Sequence, residues 1–405
     1  MSVPPTTTTV RDIPVVDTDS HVIEPADLWT SRIASKWGDD IPQVMARPGG
    51  SGRERWRVGD HWLHMPGIFG VVGWPEYPPS TPTTYDDIDP GGYDPEVRLQ
   101  RLDEYGIHAQ VLYPNIIGFE THAFLDLDPE LSLLCTQAYN DFLVDFAAAD
   151  PNRLLPVAMV PFWDLEASVA EIQRCKEIGH RGVLFANQYE KIGLPAFYDP
   201  YWDPIYAACQ DAELSVNFHI GFSTGAALLA PKRPPYVGQA DDDPDAPSVD
   251  VTWTAKRNAM LMIMSNGDSI ANICTTGVAD RFPRLKFVSV ESGMGFIPYL
   301  LENLDWHWKA HGATRYTDLL PSEVFRRQCY GTFWFETGTL PLLKDYPDNF
   351  MFETDYPHNT SLIPSPISPA EHPRVHIEKH FADLPLDVAE KALWGNAADV
   401  YHLAR

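Results

Sequence analysis

Apolar, β-branched runs recur along this chain at Pro14 to Asp19, Ile107 to Tyr113, Leu154 to Val160, Gly182 to Ala186, Leu214 to His219, Leu285 to Val290, Cys329 to Phe335 and Asn349 to Thr354. Short runs rich in Val, Ile, Leu and Phe read as strands covered on both faces. Between most of them the apolar positions take helical spacing. Asp128 to Ala149 shows this through Leu131, Leu134, Tyr139, Phe142, Leu143 and Phe146, and Trp163 to Glu177 shows it again. Strand and helix in alternation predict a parallel sheet with right-handed crossovers. Eight such units predict an α/β fold of the (β/α)8 TIM-barrel type rather than an open doubly wound sheet. The glycine-rich phosphate turn of a dinucleotide-binding fold does not follow the first run.

Three segments exceed the minimal repeat. Residues from about 37 to 92 are rich in Pro, Gly, Trp and Tyr, and the stretch is too long for a plain strand-to-helix connection. A second insertion, about 221 to 247, carries the acidic tip Asp241 to Asp245, and a third, about 357 to 373, follows the last run. All leave the C-terminal ends of strands, so each is expected to cover or line a site there. With no internal repeat and no long linker, residues 1–405 are expected to form a single distorted barrel domain.

Three of the runs end in side chains that bind metals. PVVDTDSH reaches Asp17, Asp19 and His21, LSVNFH reaches His219, and NFMFETD reaches Asp355. In a closed parallel barrel the C-terminal strand ends converge on one face. Two imidazoles and two carboxylates then meet there, a donor set suited to one borderline divalent ion such as zinc or manganese. Taken singly, each is also the solvated end of a strand.

Composition narrows the partners. A formal charge of −26 argues against nucleic acid or an anionic membrane surface, because both require a basic face. With 44% hydrophobic residues and 12 Trp, 17 Tyr and 19 Phe, the chain can bury a large core and still wall a pocket with aromatics. MSVPPTTTTV does not read as a secretory leader, and no run approaches a membrane span. The five scattered cysteines lack a C-x-x-C pair and read as reduced thiols of a cytoplasmic protein.

At this point the residues resemble a known family. DTDSHVIEP at Asp17, DPYWDPIYAACQDAELSVNFHIG at Asp199, ESGMGFIPYLLENLDW at Glu291, ETDYPH at Glu353 and WGNAADVY at Trp394 are similar to the amidohydrolase-related group. That group includes aminocarboxymuconate semialdehyde decarboxylase and the γ-resorcylate and related aromatic acid decarboxylases. The resemblance spans almost the whole chain and implies a distorted (β/α)8 barrel with one divalent ion. It assigns His21 to the second histidine of the first-strand His-x-His motif, with Asp19 replacing the first; some aromatic acid decarboxylases place Glu there. It likewise assigns His219 to the fifth-strand histidine and Asp355 to the eighth-strand aspartate. The sixth-strand histidine, an acid/base group or ligand in the family, is Glu291 here, a group of different pKa and donor capacity.

The implied function is non-oxidative decarboxylation of a small aromatic or unsaturated carboxylic acid, with Asp355 and Glu291 as proton-handling groups and no organic cofactor. Hydrolysis of an amide, ester or lactone by the same residues is the alternative. A catalytically silent metal-binding barrel is a second one, raised by the loss of the sixth-strand histidine. His358, three residues past Asp355, is a candidate for contact with substrate. A homo-oligomer, a dimer, is expected.

Other motifs carry weaker signals. GFSTG at Gly221 matches the nucleophile-elbow pattern around Ser223, but the helix that must follow is cut short by Pro231, Pro234 and Pro235. HIEKH at His376 lacks the zincin glutamate position, and His376 and His380 are expected on an exposed helix face. His61 and His64 are expected to pack within their loop, and Glu24 to order its own. Asn115 is placed like Glu24, after a strand. Arg181 and Arg257 are candidates for a substrate carboxylate, with surface pairing as the simpler reading.

Overall fold

Each apolar run becomes a strand in the computed structural model, which describes residues 9–46, 54–76, 80–223, 225, 227–229, 261–312 and 318–404. The chain enters the barrel at β1 (Val16–His21), and the first insertion then supplies β2 (Gln43–Ala46), β3 (Glu54–Val58) and β4 (His61–Trp62). The barrel resumes with β5 (Ala109–Tyr113), β6 (Leu154–Ala158), β7 (Gly182–Leu184), β8 (Ser215–His219), β9 (Phe287–Val290), β10 (Cys329–Phe333) and β11 (Phe350–Phe352). These eight strands lie side by side in chain order, and the seven neighbouring pairs are parallel. Backbone just past β11 returns to β1, where His21 N donates to Tyr356 O at 2.6 Å and Asp355 N donates to Asp19 O at 2.9 Å. The eight-stranded sheet thereby curls into a nearly closed barrel, and every residue of β1, β5, β6 and β8 is buried.

Helices between the strands begin where the sequence offers a cap. Asp94 accepts from Glu96 N and Val97 N ahead of the helix Pro95–Tyr105, Asp128 caps Pro129–Ala147 and Asp164 caps Leu165–Ile178. A capping oxygen satisfies amide groups that the first turn leaves orphaned, and proline fits the first helical position because its missing N–H costs nothing there. Pro95–Tyr105 ends at Gly106, whose φ of 68° disfavours a side chain and where an added Cβ would collide with the Arg374 side chain.

Strand ends differ from the sequence expectation by a few residues, for local reasons. β6 stops at Ala158 because Met159 N donates to the Asn140 side chain at 2.9 Å instead of to the ladder. β10 stops at Phe333 because Glu336 takes the amides of Trp334 and Met294. Among its described residues the first insertion is structured, with β2, β3 and β4 forming a separate antiparallel sheet. Most of the second insertion, including Asp241 to Asp245, and Arg257 with it, lies outside the described residues. Among the described residues no helix is long and apolar enough to cross a membrane.

Candidate active site

Alternation along β1 carries Asp17, Asp19 and His21 to one side of the strand, where two tiers form. The lower tier is structural. Asp17 accepts from Thr354 N at 2.7 Å, Thr354 Oγ1 at 2.5 Å and Gln110 Nε2 at 2.8 Å. Buried Arg98 donates to Gln110 Oε1 at 3.2 Å and to His21 O at 2.6 Å, which ties β1, β5 and the end of β11 together. Asp17 thus fastens the barrel rather than facing the upper site.

The upper tier gathers Asp19 and His21 from β1, His219 from the end of β8, Glu291 after β9 and Asp355 after β11. His21 Nε2 and His219 Nε2 are 3.0 Å apart, and Asp19 Oδ1 lies 3.5 Å from the first and 3.3 Å from the second. Asp355 Oδ1 is 3.8 Å from His21 Nε2, and Glu291 Oε2 is 3.8 Å from His219 Nε2. Each imidazole is oriented from behind: His21 Nδ1 lies 3.0 Å from Pro114 O and His219 Nδ1 lies 2.8 Å from Ile220 O. A carbonyl can only accept, so both Nδ1 atoms carry the proton and both Nε2 atoms present lone pairs.

This leaves acceptors facing acceptors in a dry setting. Both carboxylate oxygens of Asp19, and Oδ1 of Asp355, accept no hydrogen bond although the two residues are fully buried. Buried carboxylates without partners are costly unless they meet a cation. Among the described residues no Lys or Arg is paired with Asp19, Glu291 or Asp355, while single donor atoms of Asp19, His21 and His219, and of Asp19, Glu291 and Asp355, lie within 4.8 Å of one another. The donor set fits one divalent ion.

Burial, followed by the charge of Asp355, Glu291 and Asp17, holds Asp19 well above the usual carboxylate range. Burial pushes Asp355 up to about 8, and burial together with Asp355 pushes Glu291 up to about 8. His21 is held well below the usual imidazole range by burial and by His358 and His219. Glu291 and Asp355 also adopt left-handed backbone, with φ of 51° and 56°. For a residue with a Cβ this conformation costs roughly 1–2 kcal/mol, and it is tolerated where surrounding structure dictates it. Here Glu291 N donates to Thr332 Oγ1 at 2.9 Å, and Asp355 N is held by Asp19 O.

His358 comes to the same place. Its ring stacks on His21 with centroids 3.9 Å apart, Nε2 lies 2.8 Å from Asn115 Oδ1, and Nδ1 lies 2.8 Å from Asp355 Oδ1 without the direction of a hydrogen bond. Burial pushes His358 down to about 4. Glu24 orders the adjoining loop by accepting from Asn115 N and Ile116 N, each at 2.9 Å.

Several candidates do not join the site. Ser223 is buried with its hydroxyl donated to Asn266, and His358 is engaged elsewhere, so no nucleophile elbow forms. Arg181 precedes β7, at the end of the strand opposite the site. His64 pairs with Glu120 at 2.8 Å and His61 with Asp126 at 2.9 Å, which is packing within the loops. His376 departs from expectation: it is buried, not on an exposed helix face, because the helix Pro373–His380 turns that side inward alongside Ile377.

Sequence reasoning missed the walls. Phe119 lies 5.6 Å from His21 and 5.3 Å from His219, and Phe69, from the first insertion, stacks on Phe119 at 5.8 Å. Thr360, from the third insertion, donates to Asp355 Oδ2 and reaches Glu291 Oε1 at 3.5 Å. Glu353 is a further buried carboxyl, held well above the usual range by burial and by Asp19. Its signal was available, because it stands two residues before Asp355.

A family model described as amidohydrolase matches residues 60–403. γ-Resorcylate decarboxylase of Polaromonas sp. is 24% identical over 325 residues, covering 76% of this chain and 87% of that protein. An amidohydrolase from Mycobacterium avium subsp. paratuberculosis shares the fold with a TM-score of 0.71 at 20% identity, over 96% of this chain and 99% of that one. The dihydroxybenzoic acid decarboxylase of Polaromonas sp. JS666, solved with manganese and the inhibitor 2-nitroresorcinol, shares it with a TM-score of 0.57 at 20% identity, over 97% and 98%.

Proposed function

This chain belongs to the amidohydrolase family, and from that membership we propose a metal-dependent lyase that removes carbon dioxide, without oxidation, from a small aromatic or unsaturated carboxylic acid. Asp19, His21, His219 and Asp355 hold one divalent ion. Manganese is favoured over zinc, because carboxylate oxygens weight the donor set towards a harder cation. When bound, the ion draws electrons from a substrate oxygen as a Lewis acid. Phe69, Phe119 and the ring of His358 wall a planar acid beside it. The same reading takes the enzyme to be a cytoplasmic homodimer, supported by five buried free cysteines and by exposed Tyr299 and Trp306, seven residues apart on the helix Ile297–His311.

The observation that carries the reaction class is a proton store beside the metal donors. Asp19, Glu291 and Asp355 form one carboxylate cluster, so full ionisation would exceed the charge of a divalent ion even before an anionic substrate arrives. The excess favours keeping a proton on the cluster, and burial raises Asp355 and Glu291 towards the protonated form, each to about 8 before any ion is bound. In the reaction the bond from substrate carbon to the carboxyl group breaks and carbon dioxide departs. The electron pair left on that carbon takes the proton from Asp355. Glu291, joined to Asp355 through Thr360, is the second acid/base group. Relatives named as decarboxylases of resorcylic and dihydroxybenzoic acids support the substrate class.

A panel of hydroxylated benzoic acids and unsaturated dicarboxylic acids tests this. At least one member is expected to release carbon dioxide in a metal-dependent way. Solvent oxygen entering the product of an ester, lactone or amide, with no carbon dioxide from any acid, would overturn the proposal in favour of hydrolysis.

A further inference from the structure

The HIEKH segment lies on the helix Pro373–His380, where His376 and His380, four residues apart, share a face with ring centroids 4.6 Å from each other. Glu371, at the end of the third insertion, closes the group: one donor atom each from Glu371, His376 and His380 lies within 4.8 Å of the others. The two oxygens of Glu371 divide their work. Oε1 takes the Lys379 ammonium at 2.8 Å, while Oε2 lies 3.7 Å from His380 Nε2.

From this arrangement we infer that Glu371, His376 and His380 form a second divalent-metal site, separate from the barrel mouth and suited to a borderline transition ion such as zinc. Two imidazoles and one carboxylate are a zinc donor set that leaves positions for solvent. His376 is only 6% exposed, so the packing around it limits the orientations its ring can take. The side chains of His380 and Glu371, 25% and 40% exposed, leave a route for the ion from solvent. Its effect is a clip. The insertion that delivers Thr360 to the active site returns at Glu371 to a helix whose Ile377 is buried, followed by Phe381, which stacks on Phe333 of the barrel.

Equilibrium dialysis of the metal-loaded protein against micromolar zinc, followed by elemental analysis, tests the site. The unaltered protein is expected to hold one more equivalent than Glu371→Gln and His380→Gln, both at partly exposed positions that tolerate substitution. His219→Ala, which disables the barrel-mouth site, is expected to retain the second equivalent. In the His219→Ala background, cobalt in place of zinc should give a visible ligand-field band that adding His380→Gln removes. A single equivalent in the unaltered protein, or a second that persists in both Glu371→Gln and His380→Gln, would overturn the assignment.

Discussion

His21 Nε2 and His219 Nε2 meet at 3.0 Å, each with its Nδ1 against a backbone carbonyl. In the tautomers that these carbonyl contacts select, with one proton on each Nδ1, neither Nε2 has a proton to give and the two rings cannot hydrogen-bond to each other. The Asp19 carboxylate, beside both rings and accepting no hydrogen bond, adds a third acceptor. A divalent cation shared by the three would reconcile them. We therefore expect one tightly bound divalent ion to survive dialysis against metal-free buffer and to be lost in His219→Ala and Asp355→Ala. Elemental analysis checks this, and a stoichiometry unchanged in both variants would remove the metal from this site.

Glu291→Gln keeps shape and left-handed backbone while removing the ionisable group. Turnover is expected to fall at least about a hundredfold, the ordinary size of a general acid/base contribution, with metal content unchanged. Near-normal turnover would reduce Glu291 to a structural role. Loss of the ion would instead make it a ligand.

The convergence of the candidate donors was legible because strand alternation and barrel closure are strong rules. Asp19, His21, His219 and Asp355 stand at the ends of apolar runs, and parallel strands bring such ends together whatever their separation in sequence. Thr360 and Phe69 were not legible, since they arrive on loops that have no periodicity to read. His376 illustrates a different limit. Spacing of four residues places two histidines on one helix face, but it does not say whether that face is turned inward. The left-handed backbone at Glu291 and Asp355 is likewise invisible in a sequence, where such positions are expected to carry Gly or Asn.

Glu24 gives a pH-dependent stability whose sign is fixed. Burial raises its carboxyl from 4.5 to about 7 in the folded state. The folded protein therefore binds the proton more tightly than the unfolded chain. The resulting stabilisation is complete below about 4.5 and is lost as pH rises through about 7. At most, on the order of 3 kcal/mol is involved, from the size of the shift. Glu24→Gln retains an oxygen for Asn115 N and Ile116 N and has no proton to lose. Urea unfolding of chelated protein is expected to show the variant gaining on the unaltered chain between pH 5 and pH 8, the window set by this shift. A difference that stays flat, or that shrinks, would contradict a raised Glu24.

Asp19 is expected to weigh on which metal the proposed site prefers. Its two free oxygens, with Asp355 and Glu291 nearby, give the cluster three carboxylates against two imidazoles. Carboxylate oxygen suits manganese, and imidazole nitrogen shifts preference towards zinc. Asp19→His replaces one oxygen donor by nitrogen at a position beside His21 and His219, and it also removes one negative charge from a buried set. The variant is expected to hold zinc more strongly relative to manganese than the unaltered protein does, by about tenfold or more if the ligand is bound directly. Competition dialysis with both ions present measures the ratio. An unchanged ratio with full occupancy would mean that Asp19 does not touch the metal, and its unpaired buried oxygens would then need another cation.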